Sequence, residues 1–230
     1  MINIAIIPAR GGSKRIPRKN IRPFLGRPMI SYALEAAQKS GLFDHIAVST
    51  DDQEIADTAR RYGGEVFRMR PRELADDFTG TFEVAQSETA YLKSIGIDVD
   101  YVCTIYATVP LIRAEDIRGA YELMLKENSA HCYSMCSYAF PIWRSCYLKN
   151  GSPEPVWPEN MTKRSQDLPE VYHDAGQFYW SSAEAQLTGK PATNGPETAA
   201  YIIPRSRVVD IDTLEDWEAA EVMYQVLNHG

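Results

Sequence analysis

The chain is poor in cysteine and has no long apolar run, and each shortage excludes something. Four cysteines among 230 residues are too few for a disulfide scaffold, so reduced thiols in a cytoplasmic protein are expected. The apolar stretch nearest the start, residues 4–8, falls far short of the roughly 20 residues that cross a bilayer. Basic residues follow that stretch rather than precede it, the reverse of a secretory leader, and no membrane partner is expected. Internal repeats and low-complexity tails are missing too. Residues 1–27 contain no acidic side chain but seven basic ones, Arg10, Lys14, Arg15, Arg18, Lys19, Arg22 and Arg27, so the remainder must carry −14 for the whole to reach −7. An acidic chain of this kind is not a general nucleic-acid binder. Its cationic pole instead suits a small polyanion. With 44% hydrophobic and 24% charged residues, a sizeable buried core is expected.

Short apolar runs alternate with helical patterns through the first half. Residues 2–7 read as a buried strand, and Pro28 is expected to open a helix facing inward through Ile30, Ala33, Leu34 and Ala37 and closed by Gly41. Residues 45–48 form the next strand. Thr50, with Gln53 three positions on, is the expected cap of a helix that buries Ile55, Ala56, Ala59 and Tyr62 and stops at Gly63-Gly64. Strands at 65–69 and 101–106 and helices around 81–93 and 115–127 continue the rhythm. Such alternation predicts βαβ units: an α/β three-layer sandwich on a mainly parallel, Rossmann-like sheet. Residues 131–138 look like a strand, but the stretch to 169 lacks helical period. One domain over 1–230 is expected, with residues 132–170 as an inserted dimerisation arm or hairpin in a homodimer. Strands at 172–179 and 201–203 and a segment at 208–211 lead to a last helix at 214–227.

The strongest chemical signal is Ile6-Ile7-Pro8-Ala9-Arg10-Gly11-Gly12-Ser13-Lys14-Arg15-Ile16-Pro17-Arg18-Lys19-Asn20. A buried strand delivers small residues and cations to the carboxyl edge of a parallel sheet, where open α/β folds bind ligands. Gly11 and Gly12 let backbone approach an anion, Ser13 adds a hydroxyl donor, and Arg10, Lys14, Arg15 and Lys19 add charged donors. The spacing matches neither a Walker A loop nor Gly-x-Gly-x-x-Gly, yet a polyphosphate is the natural partner. Asp210 and Asp212, two apart on an expected strand, share a face and form a hard oxygen site suited to Mg²⁺. Asp212 or Thr213 could instead cap the last helix with Asp216. His131, Cys132, Cys136 and Cys146 lack a zinc spacing, and Asp51-Asp52 reads as a helix cap before a metal pair.

The opening segment resembles the first signature of the CMP-sugar synthetases that act on acidic nine-carbon sugars. The resemblance continues in Val48-Ser49-Thr50-Asp51-Asp52-x-Glu54-Ile55-Ala56, Arg70-Pro71-x-Glu73-Leu74-Ala75, Arg164-Ser165-Gln166-Asp167-Leu168-Pro169, Gly176-x-x-Tyr179 and Asp210-Ile211-Asp212-Thr213, in the family's order. Two blocks depart from the sialic acid branch: Ile105-Tyr106-Ala107-Thr108-Val109-Pro110 stands for Gln-Pro-Thr-Ser-Pro, and His173-Asp174-Ala175-Gly176 for Arg-x-Asn-Gly. Both are similar to the pseudaminic acid cytidylyltransferase branch.

The resemblance implies a Mg²⁺-dependent transfer of CMP from CTP to the anomeric hydroxyl of a nonulosonic acid. It implies that Arg10, Gly11, Gly12, Ser13, Lys14 and Lys19 hold the triphosphate, Asn20 the ribose and Arg70 the cytosine edge, with Asp210 and Asp212 as metal ligands. Arg164, whose planar fork suits a carboxylate, is the candidate for the sugar acid, with an interface ion pair as its rival role. Tyr106, Gln177 and Tyr179 are expected to shape the sugar pocket. His173 is either a base or a hydrogen-bonded structural residue. Sialic and legionaminic acids remain alternative sugars, and a non-catalytic nucleotide sensor or an Asp-x-Asp glycosyltransferase remain alternative functions.

Overall fold

Ile4, Ala5, Ile6 and Ile7 are all fully buried, and this two-sided apolar run forms β1 (Asn3–Pro8), an inner strand covered on both faces. The computed structural model describes residues 1–189 and 195–229. β1 pairs in parallel with β4 (His45–Ser49) on one side and β5 (Tyr101–Ile105) on the other. Beyond β5 lie β9 (Tyr172–Ser182), β6 (His131–Ser137) and β10 (Thr198–Ile202), so the sheet order is β10-β6-β9-β5-β1-β4. β9 runs antiparallel to both neighbours and the other pairings are parallel. On one face, α1 (Ile30–Ser40), α2 (Gln53–Arg61) and α4 (Ala114–Lys126) pack over Ile7, Val48, Ile105, Phe178 and Trp180. On the other, α3 (Thr81–Ser94) and α5 (Ala183–Leu187) pack over Ile4, Ile6 and Val102. The expected α/β three-layer sandwich is the observed one.

A third cluster positions the site. Ile16, Phe24, Met29, Tyr32, Ile211, Trp217 and Ala220 bury together, joining the segment after the basic turn to α6 (Leu214–His229). Phe24 stands edge-on to Tyr32, Trp217 and Tyr224 at ring separations of 5.3, 5.5 and 5.9 Å, an arrangement that adds to simple area burial. Phe24 belongs to a two-strand ribbon, β2 (Pro23–Phe24) and β3 (Arg27–Pro28), turned by Leu25 and Gly26 at φ of 47° and 82°.

Several local expectations are corrected. Pro28 closes that ribbon, and α1 starts two residues later; Gly41, at φ 66°, ends it as expected. Asp52, not Thr50, caps α2, accepting from Ile55 N at 3.0 Å, while Thr50 Oγ1 accepts from Asp52 N. Residues 65–69 make one bridge, Ala47 to Glu65, instead of a strand. There Arg68 turns in to the buried Glu88 at 3.3 Å and lies over the Tyr91 ring, and the chain bends. Residues 132–137 stay in the sheet as β6, with Cys132, Ser134 and Cys136 alternating along it. The chain leaves the sheet only over 138–171, where β7 (Cys146–Lys149) and β8 (Ser152–Pro155) form an exposed hairpin. Residues 208–212 are not a strand: Ile203 N makes a last bond to Met135 O, and Pro204, without an N–H, turns the chain away.

Candidate active site

At the carboxyl edge of β1 the chain passes through Arg10 into a turn that folds back on itself. Asn20 Nδ2 donates to Arg10 O at 2.9 Å, so the two ends of the basic segment are tied together. The Gly11 N–H is taken by Asp51 Oδ1 at 2.8 Å. A Cβ at Gly11 would meet Asp52 Cβ and Oδ2 at 2.9 Å, whereas one at Gly12 would meet nothing within 4 Å. Gly11 is therefore required by its packing on Asp52, and its N–H is not available to an anion. Arg18 adopts φ of 59°, a left-handed conformation uncommon outside glycine, and reaches Asp52 at 2.5 and 3.0 Å and Glu54. Asp52 thus caps α2 and clamps the turn. The Arg18 hydrogen bond holds its carboxyl below the usual range, against the opposing effect of burial.

The C-terminal aspartates arrive at this turn. Lys19 Nζ donates to Ile211 O at 2.6 Å and lies 3.6 Å from Asp212 Oδ1, while Arg15 pairs with Asp212 Oδ2 at 2.6 Å. Burial, followed by the neighbouring Asp212 carboxylate, raises the Asp210 carboxyl above its ordinary value; Lys19 and Arg15 oppose this. Thr213 and Asp216 form a reciprocal cap on α6: Asp216 Oδ2 accepts from Thr213 N at 2.7 Å and Asp216 N donates to Thr213 Oγ1. Capping therefore falls to Thr213 and Asp216, while the Asp212 side chain pairs with Arg15 and Lys19, two residues that line the neighbouring cleft. Among the described residues no cluster of three or more His, Cys, Asp or Glu could hold a metal. The two carboxylates are hard oxygen donors that fit a divalent cation completing its shell with substrate oxygens and water.

A cleft of about 410 Å³ opens beside the turn, lined by Arg10, Ser13, Lys14, Lys19, Asn20 and Arg70 at one end and by Thr81, Tyr106 and Thr108 at the other. Arg70 is only 7% exposed; its Nε and Nη2 donate to Ser49 Oγ at 3.1 Å and Ser49 O at 2.5 Å. Ser49 Oγ in turn meets Glu88 at 3.2 Å, so a buried polar network fixes the guanidinium at the cleft wall. Desolvation lowers its pKa.

Other expected residues are placed elsewhere. Arg164 is exposed on the arm and pairs with Asp167 at 2.8 and 3.1 Å, outside the cleft of its own chain. His173 is occupied at both ring nitrogens, Nδ1 by Asp174 O at 2.8 Å and Nε2 by Cys136 Sγ at 3.0 Å, which is the structural alternative rather than a free base. Gln177 is 3% exposed, and its Nε2 donates to Arg207 O at 2.5 Å. Tyr179 lies behind Tyr106, ring centroids 5.4 Å apart. Two residues went unread in the sequence. Asp77 pairs with Arg10 at 2.7 Å and with Lys14, a carboxylate set against two cations of the turn. Thr81 Oγ1 meets the Tyr106 hydroxyl at 3.3 Å. Asp77 lies two residues after the block Arg70-Pro71-x-Glu73-Leu74-Ala75, which was the available signal.

A family model for cytidylyltransferases matches residues 4–191. The chain belongs to the cytidylyltransferase family. This cytidylyltransferase is 41% identical, over 100% of its length and 98% of the relative's, to the pseudaminic acid cytidylyltransferase of Campylobacter jejuni subsp. jejuni serotype O:2. It is 29% identical to the CMP-N,N'-diacetyllegionaminic acid synthase of Legionella pneumophila, over 97% of this chain and 96% of that one. In fold it resembles a CMP:2-keto-3-deoxy-manno-octonic acid synthetase solved with CTP, with TM-score 0.72 and 16% identity over 99% of this chain and 100% of that one. No helix among the described residues is long and apolar enough to cross a membrane.

Proposed function

We propose that this enzyme transfers CMP from CTP to the anomeric hydroxyl of pseudaminic acid, giving CMP-pseudaminic acid and pyrophosphate. The observation that carries the reading is the meeting of Lys19 and Arg15 with Ile211 and Asp212 at the edge of one cleft, 192 residues or more apart in sequence. The 41% identity to a pseudaminic acid cytidylyltransferase, against 29% to a legionaminic acid synthase, supports this sugar over its isomers.

In the proposed mechanism the anomeric oxygen attacks the α-phosphorus in line. The new O–P bond forms as the bond to the β-phosphate oxygen breaks, the hydroxyl proton passes to solvent water, and pyrophosphate leaves. Such chemistry needs positioning and charge neutralisation. Arg10, Lys14 and Lys19 supply charged donors along the triphosphate, and Ser13 supplies a hydroxyl. Asn20 keeps the turn closed, and the buried Arg70 presents its remaining N–H groups to the nucleotide. Asp210 and Asp212 would hold Mg²⁺, which supplies further neutralisation of triphosphate oxygens when bound. The Asp210 carboxyl, raised in the free protein, would be returned toward its ordinary range by that cation.

The free state of all four cysteines agrees with a cytoplasmic setting. The arm at 138–171 exposes Phe140 at 83% and Leu148 at 80%, apolar area suited to a second copy of the chain, and a homodimer through this arm is part of the reading. Light scattering of the wild type and of Leu148→Asp tests it: dimer and monomer are expected, and a monomeric wild type rejects it.

The central test mixes protein, CTP and Mg²⁺ with pseudaminic, legionaminic or N-acetylneuraminic acid and measures pyrophosphate. Turnover is expected to be fastest with pseudaminic acid and lost on chelation. Preference for another acid would reassign the sugar, and silence with all three would reject the reaction.

A further inference from the structure

Glu88, on α3, is a carboxylate that the phosphate end does not use. It is 4% exposed and linked to two guanidinium groups. The first is direct: Arg68 donates to Glu88 Oε1 at 3.3 Å and Oε2 at 3.4 Å. Arg68 is held there by Ser87 O and Oγ, at 3.0 and 2.8 Å, and by the face of the Tyr91 ring. The second is reached through Ser49, the last residue of β4. The Ser49 hydroxyl donates to Glu88 Oε1 at 3.2 Å, and Arg70 Nε donates to the same hydroxyl oxygen at 3.1 Å. Ser49 and Arg70 are buried like Glu88, so little water competes for these bonds.

Only one proton order satisfies this chain. Arginine donates and never accepts, and a carboxylate paired with Arg68 accepts and does not donate. The single hydroxyl proton of Ser49 therefore goes to Glu88, and its lone pairs are left for Arg70. Arg70 Nη2 also donates to Ser49 O at 2.5 Å, so one residue takes the whole Nε edge of the guanidinium and fixes its plane. Arg70 N is tied to Thr50 O at 2.7 Å, which fixes the start of the side chain as well. Nη1 and the second Nη2 hydrogen are left for the cleft that Arg70 lines. That edge is purely a donor. Cytosine offers such an edge two adjacent acceptors, O2 and N3, whereas uracil carries a proton on N3 and sets a donor against a donor. A site built to bond one partner rejects the analogue that leaves its buried donor unpaired.

We propose that Glu88 is a positioning residue for the nucleobase: through the Ser49 hydroxyl it orients the Arg70 fork so that the cleft takes cytosine and rejects uracil. The proposal rests on the reading of the cleft as a nucleotide site with Arg70 at the base. Dissociation constants for CTP and UTP, measured by calorimetry with Mg²⁺ and without sugar, test it. Ser49→Ala removes the hydroxyl and leaves the Arg68 pair alone, and Glu88→Gln keeps size and removes the charge. Each is expected to weaken CTP about tenfold and UTP by less than about twofold, so that the preference for CTP shrinks. Adding either change to Arg70→Ala should weaken CTP no further, since all three remove one coupled contact. A merely structural role for Glu88 and Ser49 would shift both nucleotides by the same factor, and the effects would add to that of Arg70→Ala. Either result overturns the proposal, as does an unchanged CTP constant in Ser49→Ala. If Glu88→Gln does not fold because Arg68 loses its partner, Arg68→Met/Glu88→Gln, which removes both charges, takes its place with the same expected outcome. A wild type that binds CTP and UTP equally, or neither, would reject the placing of Arg70 at the base, and this proposal with it.

Discussion

The two ends of the cleft are built on different principles. The phosphate end is made of charges brought together over nearly the whole chain, with Lys19 on Ile211 O and Arg15 on Asp212, and behind them an apolar cluster around Phe24 and Trp217 that holds α6 in place. The part proposed for the sugar is local: Tyr106 lines the cleft, and behind it one bulged strand, β9, carries Asp174, Gly176 and Tyr179, whose ring packs on Tyr106 and Tyr133. On the proposed reading, charge density faces the triphosphate and backbone irregularity backs the part that meets the sugar.

The largest effect that would break this contrast is expected in the cluster. Phe24→Ala should cost about 3–5 kcal/mol of unfolding free energy, read by urea denaturation. Because that cluster docks α6, a sub-denaturing concentration of urea should weaken CTP binding in this variant before the rings of Tyr106 and Tyr179 lose their near-ultraviolet dichroism. Simultaneous loss would mean that the two ends are one unit.

Lys14→Ala sharpens the comparison. Removing a charged phosphate contact should cost about 1.5–3 kcal/mol, which is about 10- to 150-fold in KM for CTP, with the sugar KM little changed. Equal effects in steady-state kinetics on both substrates would contradict the division.

The sequence makes the phosphate end legible and the sugar end much less so, for a physical reason. Seven cations without an anion in 27 residues repel one another unless a ligand or distant carboxylates join them, and strand-then-turn patterning places them at a sheet edge. The five longer helices and strands β1, β4, β5 and β9 are likewise visible as periodicity, whereas the short α5 is not read, β6 falls largely in the expected arm, and β10 starts three residues before its expected position. What was not visible depends on partners remote in sequence. Gly11 is required by Asp52, not by an anion; residues 65–69 fail as a strand because Arg68 is drawn to Glu88; and Gln177 is buried on Arg207 O rather than turned to the sugar. The β9 bulge leaves no periodic trace beyond a lone Gly176.

Two smaller predictions probe the phosphate end through pH. Asp52→Asn keeps the α2 cap but loses the ion pair with Arg18, and should cost about 0.5–1 kcal/mol at pH 7. The Asp52 carboxyl is lowered in the folded state, so its contribution is complete above the unfolded value near 4 and fades as pH falls through the folded one. Thermal melts below about pH 4 should therefore converge for the two proteins. Asp210 has the opposite sign. Its raised carboxyl makes the ionised form unfavourable in the metal-free fold, so stability falls as pH rises from the unfolded value through the folded one. Asp210→Asn should remove that fall and stabilise the metal-free protein by up to about 0.5 kcal/mol at neutral pH, while abolishing turnover. A lower melting temperature for Asp210→Asn without metal would contradict this.

The span between Lys19 and Ile211, 192 residues, also sets a schedule. At ribosomal speeds of about 5–20 residues per second, roughly 10–40 s separate the emergence of the cationic bend from that of its carboxylate counterpart. Through that interval a growing polypeptide carries only one of the two sides that the proposed nucleotide site needs, and the other emerges just ahead of α6.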